Sequence, residues 1–140
     1  MEVNYMIPNF KAWDKYHEMI VSIISIDFEN KIAYVEQENG DRYDIHFDNL
    51  IFLQSTGLKD KNGVEIFEGD IVKVSVHNGF DYYDNEVCVV RKSRFHSGLV
   101  CINPNNDMEC RIFNQDVLED YQYEVIGNIY ENPELLEVES

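Results

Sequence analysis

Three carboxylates and an amide lie close together in the segment Asp81-Tyr82-Tyr83-Asp84-Asn85-Glu86. Their oxygens are the ligands that a hard cation such as calcium prefers. The segment lacks the glycine and the ligand spacing of a dedicated calcium loop, so a solvated loop is the favoured interpretation and no metal site is predicted. Tyr82 and Tyr83 are instead candidate binding residues, because their rings can stack on a ligand or a partner.

The concentrated basic stretch of the chain is Arg91-Lys92-Ser93-Arg94-Phe95-His96. Its candidate binding residues are Arg91, Lys92, Arg94 and Phe95, because basic side chains contact phosphates and an aromatic ring stacks on a base. Three such charges are a weak electrostatic footprint in so acidic a protein, which favours a plain hairpin tip. The stretch could also pair with the acidic surface of a neighbouring subunit.

The remaining reactive side chains form no recognisable catalytic pattern. The 4 histidines are scattered without ligand spacing and are predicted to lie singly on the surface. Cys88, Cys101 and Cys110 each lie in an apolar stretch, which predicts buried thiols in a reducing compartment. No nucleophile elbow, P-loop or GxGxxG is present. We therefore predict no enzyme, no catalytic residue and no cofactor, although paired carboxylates for acid–base chemistry would form only on folding.

The charge of the chain restricts its partners. There are 27 acidic and 11 basic residues, a net charge of −16, which repels phosphate backbones and disfavours direct binding of nucleic acid. A solvated acidic surface is the default interpretation. The sharper alternative is a surface that attracts a basic partner or mimics nucleic acid. The sequence shows neither a signal peptide nor an apolar run long enough to span a membrane, so a cytoplasmic location without membrane contact is expected.

The elements that position these residues are predicted to be strands, since apolar and polar residues alternate with a period of two. Asn39-Gly40 predicts a hairpin turn, and Asn62-Gly63 predicts a second tight turn. Val72, Val74 and Val76 share one face of a strand. Short strands are also predicted within 87–90, 99–102, 110–113 and 121–127, with a 3₁₀ turn at 115–118.

This order of elements predicts a mainly β fold. Residues 1–55 are expected to form an N-terminal β-hairpin or meander region, and residues 56–140 an SH3-like five-stranded barrel with a C-terminal tail, the two together forming one compact unit. Asn132-Pro133-Glu134 has the cap, proline and acid of a helix start, which predicts a short C-terminal helix.

Three blocks of the sequence resemble the YopX family of phage and prophage proteins. They are Phe10-Lys11-Ala12-Trp13-Asp14-Lys15, Gln54-Ser55-Thr56-Gly57-Leu58-Lys59-Asp60-Lys61-Asn62-Gly63 with its continuation from Glu65 to Val72, and Glu124 to Leu136. Lys11 stands where the family often has arginine. No resemblance is found in residues 16–49 and 77–120.

The resemblance implies a β-rich protein that is encoded by a phage or prophage and acts in the bacterial cytoplasm. The family brings no established biochemical activity, so no residue inherits a catalytic or binding role. The expected function is that of an accessory protein that binds a host or phage protein or assembles into a homo-oligomer. The alternative is an acidic inhibitor that mimics nucleic acid and occupies a DNA- or RNA-binding protein.

Overall fold

The computed structural model describes residues 10–77, 82–94, 98–105, 108–112 and 121–136. It is built almost entirely from antiparallel strands, which confirms the prediction of a mainly β protein. The chain divides into two compact units, Met1–Ser55 and Thr56–Ser140. Within the described ranges, no helix is long and apolar enough to cross a membrane.

The first unit contains a five-stranded antiparallel sheet in the order β4-β3-β2-β1-β5. Its strands are β1 (Lys11–Asp14), β2 (Met19–Asp27), β3 (Ile32–Glu36), β4 (Arg42–His46) and β5 (Leu50–Leu53). The buried residues of its core are Ala12, Val21, Ala33, Val35, Ile45 and Leu50. They lie on one face because side chains alternate along each strand.

The β3–β4 hairpin confirms the turn predicted at Asn39-Gly40. Gly40 has a φ of 94°, a left-handed conformation that glycine adopts without a steric penalty. The N–H of Gln37 donates to the carbonyl oxygen of Asp41 at 2.8 Å and closes the turn. The register that follows pairs Ile32 with His46. Local turn chemistry therefore sets the pairing of these two strands.

The first sheet must curl, because its two edge strands follow each other in the chain. In a flat sheet of five strands about 4.8 Å apart, the edges would be about 19 Å apart. Here only the three-residue 3₁₀ helix Phe47–Asn49 joins β4 to β5, and a 3₁₀ helix rises about 2 Å per residue. The edges approach each other around Phe47, although among the described strands no hydrogen-bonded ladder joins them.

The second unit contains a five-stranded antiparallel sheet in the order β11-β10-β9-β8-β12 and a separate pair β6-β7. The strands are β6 (Ser55–Lys59), β7 (Glu65–Phe67), β8 (Asp70–His77), β9 (Tyr82–Lys92), β10 (Leu99–Asn103), β11 (Met108–Ile112) and β12 (Tyr121–Asn128). Its core contains Ile66, Val72, Val74, Cys88, Val90, Leu99, Cys101 and Tyr123. As in the first unit, the first strand of the sheet lies between the second and the last.

The detailed predictions for the second unit are confirmed only in part. Cys88 and Cys101 are buried thiols, as predicted, whereas the side chain of Cys110 and the 3₁₀ turn predicted at 115–118 lie outside the described residues. The closed SH3-like barrel is not confirmed, because the described strands form an open sheet. The C-terminal helix is also not confirmed beyond a single 3₁₀ turn, Pro133–Leu136.

The turn at Asn62-Gly63 is held against β12 by the buried carboxylate of Asp60. Its Oδ1 accepts from the N–H groups of Asn62 at 2.8 Å and Val64 at 2.9 Å, and its Oδ2 accepts from the N–H of Val125 at 2.9 Å. Burial raises the pKa of Asp60, but these donors and the Lys61 charge outweigh it and lower the pKa overall. The N–H of Lys61 also donates to the carbonyl oxygen of Tyr123 at 3.0 Å. The turn therefore covers the outer edge of β12, which protects it from pairing with another chain.

The end of β12 depends on close approach at Gly127. A Cβ at this position would lie 2.6 Å from Oδ1 of Asn132 and 3.0 Å from Cδ1 of Leu135. The same Asn132 oxygen accepts from the N–H of Asn128 at 3.2 Å. Because glycine leaves this space open, the chain can fold back over the strand and enter the 3₁₀ turn.

We expect Gly127→Ala to destabilise the protein by about 1–3 kcal/mol, because the added methyl must push Asn132 off the Asn128 N–H. Urea denaturation monitored by circular dichroism measures the change. Gln122→Ala, an exposed change in the same strand, is the control. If the clash with Asn132 is the cause, the double variant Gly127→Ala/Asn132→Ala loses less free energy of unfolding than the two single variants lose together. Strictly additive losses would contradict the clash.

Candidate functional site

The first candidate site is built around the buried carboxylate of Asp14 at the end of β1. Asp14 is 0% exposed. Its Oδ1 accepts from the N–H groups of Tyr16 and His17, each at 2.9 Å. Its Oδ2 contacts Nδ1 of His17 at 2.7 Å and accepts from the hydroxyl of Tyr43 at 2.6 Å. The carboxylate thus ties the β1–β2 turn to β4, and we call Asp14, His17 and Tyr43 the Asp14 cluster.

The electrostatics of the cluster favour a charged carboxylate. Burial raises the pKa of Asp14, but the hydrogen bonds from Tyr43, His17 and Tyr16 outweigh it and lower the pKa overall. Burial also raises the pKa of Tyr43, and its bond to Asp14 adds to the rise because the neutral phenol is the donor. Several hydrogen-bond donors of the cluster therefore stabilise the single negative charge of Asp14, and the carboxylate has a structural role.

Within the Asp14 cluster, the imidazole of His17 is the group whose chemistry suits proton transfer or metal binding. Its Nδ1 is fixed by Asp14, while its ring makes an edge contact with Tyr16 at 4.8 Å and a tilted contact with Tyr43 at 4.9 Å between centroids. A histidine oriented in this way by a carboxylate is common in general bases and metal sites. In the part of the chain that the structure describes, no group of three or more His, Cys, Asp or Glu could hold a metal ion.

His17 lies at the surface, as predicted, with 38% of its side chain exposed, but sequence reasoning missed its contact with the carboxylate of Asp14. The signal was the spacing Asp14-x-x-His17, which becomes a contact when the chain turns back after β1. Tyr43 lies 29 residues after Asp14, and nothing in the sequence indicated its contact with that carboxylate. His46 is exposed, and its Nδ1 accepts from the N–H of Asp48 at 3.1 Å at the start of the 3₁₀ helix.

The predicted binding residues do not form one site. Tyr82 and Tyr83 lie at the start of β9 opposite His77 and Val76, so the solvated loop predicted there is a strand from Tyr82 onward. Pairing with β8 supplies the backbone hydrogen bonds, and tyrosine favours strands. At about 3.3 Å per residue, β9 separates Tyr83 from Arg91 by about 26 Å.

The basic stretch is the tip of the β9–β10 hairpin, the simpler of the predicted alternatives. Arg91, Lys92 and Arg94 are exposed, while Phe95 lies outside the described residues. Both oxygens of Glu109 are engaged here, one by the hydroxyl of Ser93 at 3.1 Å and one by the N–H of Arg94 at 2.8 Å. The carboxylate of Glu109, in the same unit, therefore already accepts hydrogen bonds from the Ser93 hydroxyl and the Arg94 backbone N–H at the hairpin tip.

The third candidate is a group of rings in the first unit, which we call the phenylalanine surface: the exposed Phe28 and Phe52 and the half-buried Phe47, which packs against the core. The centroids of Phe28 and Phe47 are 6.2 Å apart and those of Phe47 and Phe52 are 5.2 Å apart, both edge to face. Phe28 is 76% exposed and Phe52 is 36% exposed. Sequence reasoning missed this surface, because the rings come from a turn, a 3₁₀ helix and a strand that only folding brings together.

Comparisons with known proteins place the chain in a family. The family model described as "YopX protein" matches residues 9–137. A solved structure titled "Crystal structure of protein EF1440 from Enterococcus faecalis" is 30% identical, with a TM-score of 0.56, over 94% of this chain and 99% of that one. A search of curated proteins found no significant match.

The Asp14 cluster predicts a pH-dependent cost of substitution. Asp14→Asn should destabilise the protein by about 2 kcal/mol at neutral pH, because the amide presents hydrogens to donors that the carboxylate accepted. Since the folded-state pKa of Asp14 is lowered, its stabilising charge is present above the unfolded value of about 4 and is lost as the pH falls through the folded value. The gap between variant and wild type should therefore narrow towards about pH 3.

Urea denaturation at the two pH values measures this gap. Asp44→Asn removes an exposed carboxylate from β4 and is the matched control, with little change expected at either pH. A gap that stays constant with pH, or one no larger than that of the control, would contradict the role of the Asp14 charge.

Proposed function

The chain belongs to the YopX family, and on this premise we propose that it acts by binding other proteins rather than by catalysing a reaction. From the family resemblance we further infer a phage or prophage origin and an accessory role in the bacterial cytoplasm. The observation that carries the binding proposal is the phenylalanine surface, where three rings contact one another at the surface of the first unit.

The polar residues of the family blocks support this assignment, because they are engaged within the fold. The hydroxyl of Thr56 donates to the carbonyl oxygen of Ile66 at 2.8 Å, and Oδ2 of Asp70 accepts from the N–H of Phe67 at 2.8 Å. Oδ1 of Asn128 accepts from the N–H groups of Tyr130 and Glu131 at 3.0 and 2.8 Å. With Asp14 and Asp60, these residues shape turns and strand ends, which is a structural use of polar groups.

The charge of the chain favours a second candidate function. With a net charge of −16, the protein could occupy the nucleic-acid site of a DNA- or RNA-binding protein. This acidic mimic and the binding accessory protein differ in what displaces their partner. Nucleic acid competes for the site that a mimic occupies, whereas it leaves a contact with the phenylalanine surface in place.

We expect the tagged protein to capture a partner from bacterial lysate that forms a complex of fixed stoichiometry when both proteins are purified. Size-exclusion chromatography with light scattering measures the stoichiometry. Excess double-stranded DNA should leave this complex intact. If DNA displaces the partner, the acidic mimic is the correct function, and if no captured protein forms a stoichiometric complex, the binding proposal fails.

Self-association is the second expected behaviour, because strands at the edges of a sheet can pair between copies. In the first unit the edge strands are β4 and β5, and in the second β11 is an edge whose far side is not paired in the described residues. Light scattering should give a mass above the 16.5 kDa of one chain at tens of micromolar. A mass of one chain at that concentration would remove the oligomer.

A further inference from the structure

The phenylalanine surface joins two exposed rings, Phe28 and Phe52, through the half-buried Phe47. Burying a phenylalanine side chain stabilises a protein by about 1.5–3 kcal/mol, yet Phe28 remains 76% exposed. Isolated exposed apolar residues are common on protein surfaces, but here Phe28 continues into Phe47 and Phe52 through edge-to-face contacts. Contiguous apolar surface of this kind marks interaction sites.

The rings are held in place by the backbone around them. Phe28 opens the β2–β3 turn, where the carboxylate of Asp27 accepts from the N–H of Asn30 at 3.1 Å and from its side-chain amide at 2.8 Å. The N–H of Phe47 donates to the carbonyl oxygen of Lys31 at 2.9 Å, which ties the start of the 3₁₀ helix to the same turn. The backbone that carries Phe28 and Phe47 is therefore ordered before a partner arrives, which lowers the entropic cost of binding.

Carboxylates adjoin two of these rings in the chain. Asp27 and Glu29 flank Phe28 in the chain, and Asp48 follows Phe47. The hydrogen bonds from the side chain and backbone of Asn30 lower the pKa of Asp27, so this group stays negatively charged. The basic residues in the segments 27–31 and 46–48 are Lys31 and His46, and Nδ1 of His46 lies 3.4 Å from Oδ2 of Asp48. The rings thus lie within a local excess of negative charge.

We propose that the phenylalanine surface docks a protein segment that carries arginine beside an apolar side chain. The face of a phenylalanine ring attracts a guanidinium group, and carboxylates bind the same group through paired hydrogen bonds. Phe28 between Asp27 and Glu29 offers both interactions in one turn, while Phe47 and Phe52 receive the apolar side chain. This inference rests on the proposed function and names the contact chemistry of the partner.

The charge balance disfavours a second copy of this chain as the occupant. Each copy carries a net charge of −16, so a contact between two such surfaces would bring like charges together. Carboxylates facing one another across an interface oppose association. A cationic segment instead gains from the field of the whole chain.

The test uses a fluorescently labelled peptide that alternates arginine and leucine, titrated with the full chain and read by fluorescence anisotropy. Phe28→Ser should weaken binding about tenfold, as for a residue near the centre of an interface. Glu29→Gln, which keeps the size of the side chain and removes its charge, should weaken binding less and reduce its salt dependence. Val64→Ser, at a 46% exposed position in the second unit, is the control and should bind as wild type does.

Two further measurements locate the contact. In two-dimensional NMR spectra, the peptide should shift the amide signals of residues 27–31 and 47–52 and leave those of β8 and β12 unchanged. A peptide with glutamate in place of arginine should not bind. Because Phe28 and Glu29 are exposed in a turn, the variants are expected to unfold at the same urea concentration as wild type, which verifies their folding.

The inference is overturned if Phe28→Ser and Glu29→Gln bind the arginine peptide as tightly as wild type, or if the glutamate peptide binds equally well. It is also overturned if Phe28→Ser converts an oligomer into a monomer, since a second copy would then cover the surface. A captured partner that binds wild type and Phe28→Ser equally refutes this surface and leaves the proposed function standing. The absence of any stoichiometric partner refutes the proposed function itself.

Discussion

In each unit a buried aspartate carboxylate joins a turn to a strand far away in the sequence. Asp14 connects the β1–β2 turn with Tyr43 in β4, and Asp60 connects the Asn62-Gly63 turn with Val125 in β12. A buried charge is costly unless several donors compensate for it, so each carboxylate requires all of its partners at once. Strand pairing alone would leave these turns free to move. The two carboxylates add hydrogen bonds that tie each turn to a strand far away in the sequence.

The same structural use of polar side chains recurs in the blocks that resemble the YopX family. The glycines and polar residues that identify the family satisfy backbone groups at turns, and the outer edge of β12 is covered as a result. The phenylalanine surface lies outside the family blocks, at Phe28, Phe47 and Phe52.

The sequence predicts those features that neighbouring residues determine. Asn39-Gly40 defined its hairpin, and the alternating valines of β8 defined a strand, because both signals are local. Strand β1 was missed because four residues are too few to show alternation. The tight turn predicted at Asn62-Gly63 does join β6 and β7, although glycine and polar residues obscured the limits of these two strands. His17 could not be connected with Tyr43 before β4 was placed beside β3, and Phe28 gave no sign that two other rings would reach it. Contacts of this kind depend on register over long sequence separations, which periodicity does not report.

The last strand of each sheet pairs with the first: Lys11 with Leu53 in one unit, Asp70 with Asn128 in the other. During synthesis, strands β1 to β4 can pair as they leave the ribosome, but the outer edge of β1 stays bare until β5 emerges. Such an edge is a template for pairing with another chain, and sheets closed by distant segments form slowly. In the second unit, the outer edge of β8 is likewise unpaired until β12 has been synthesised. The rate of translation therefore sets how long each edge remains open.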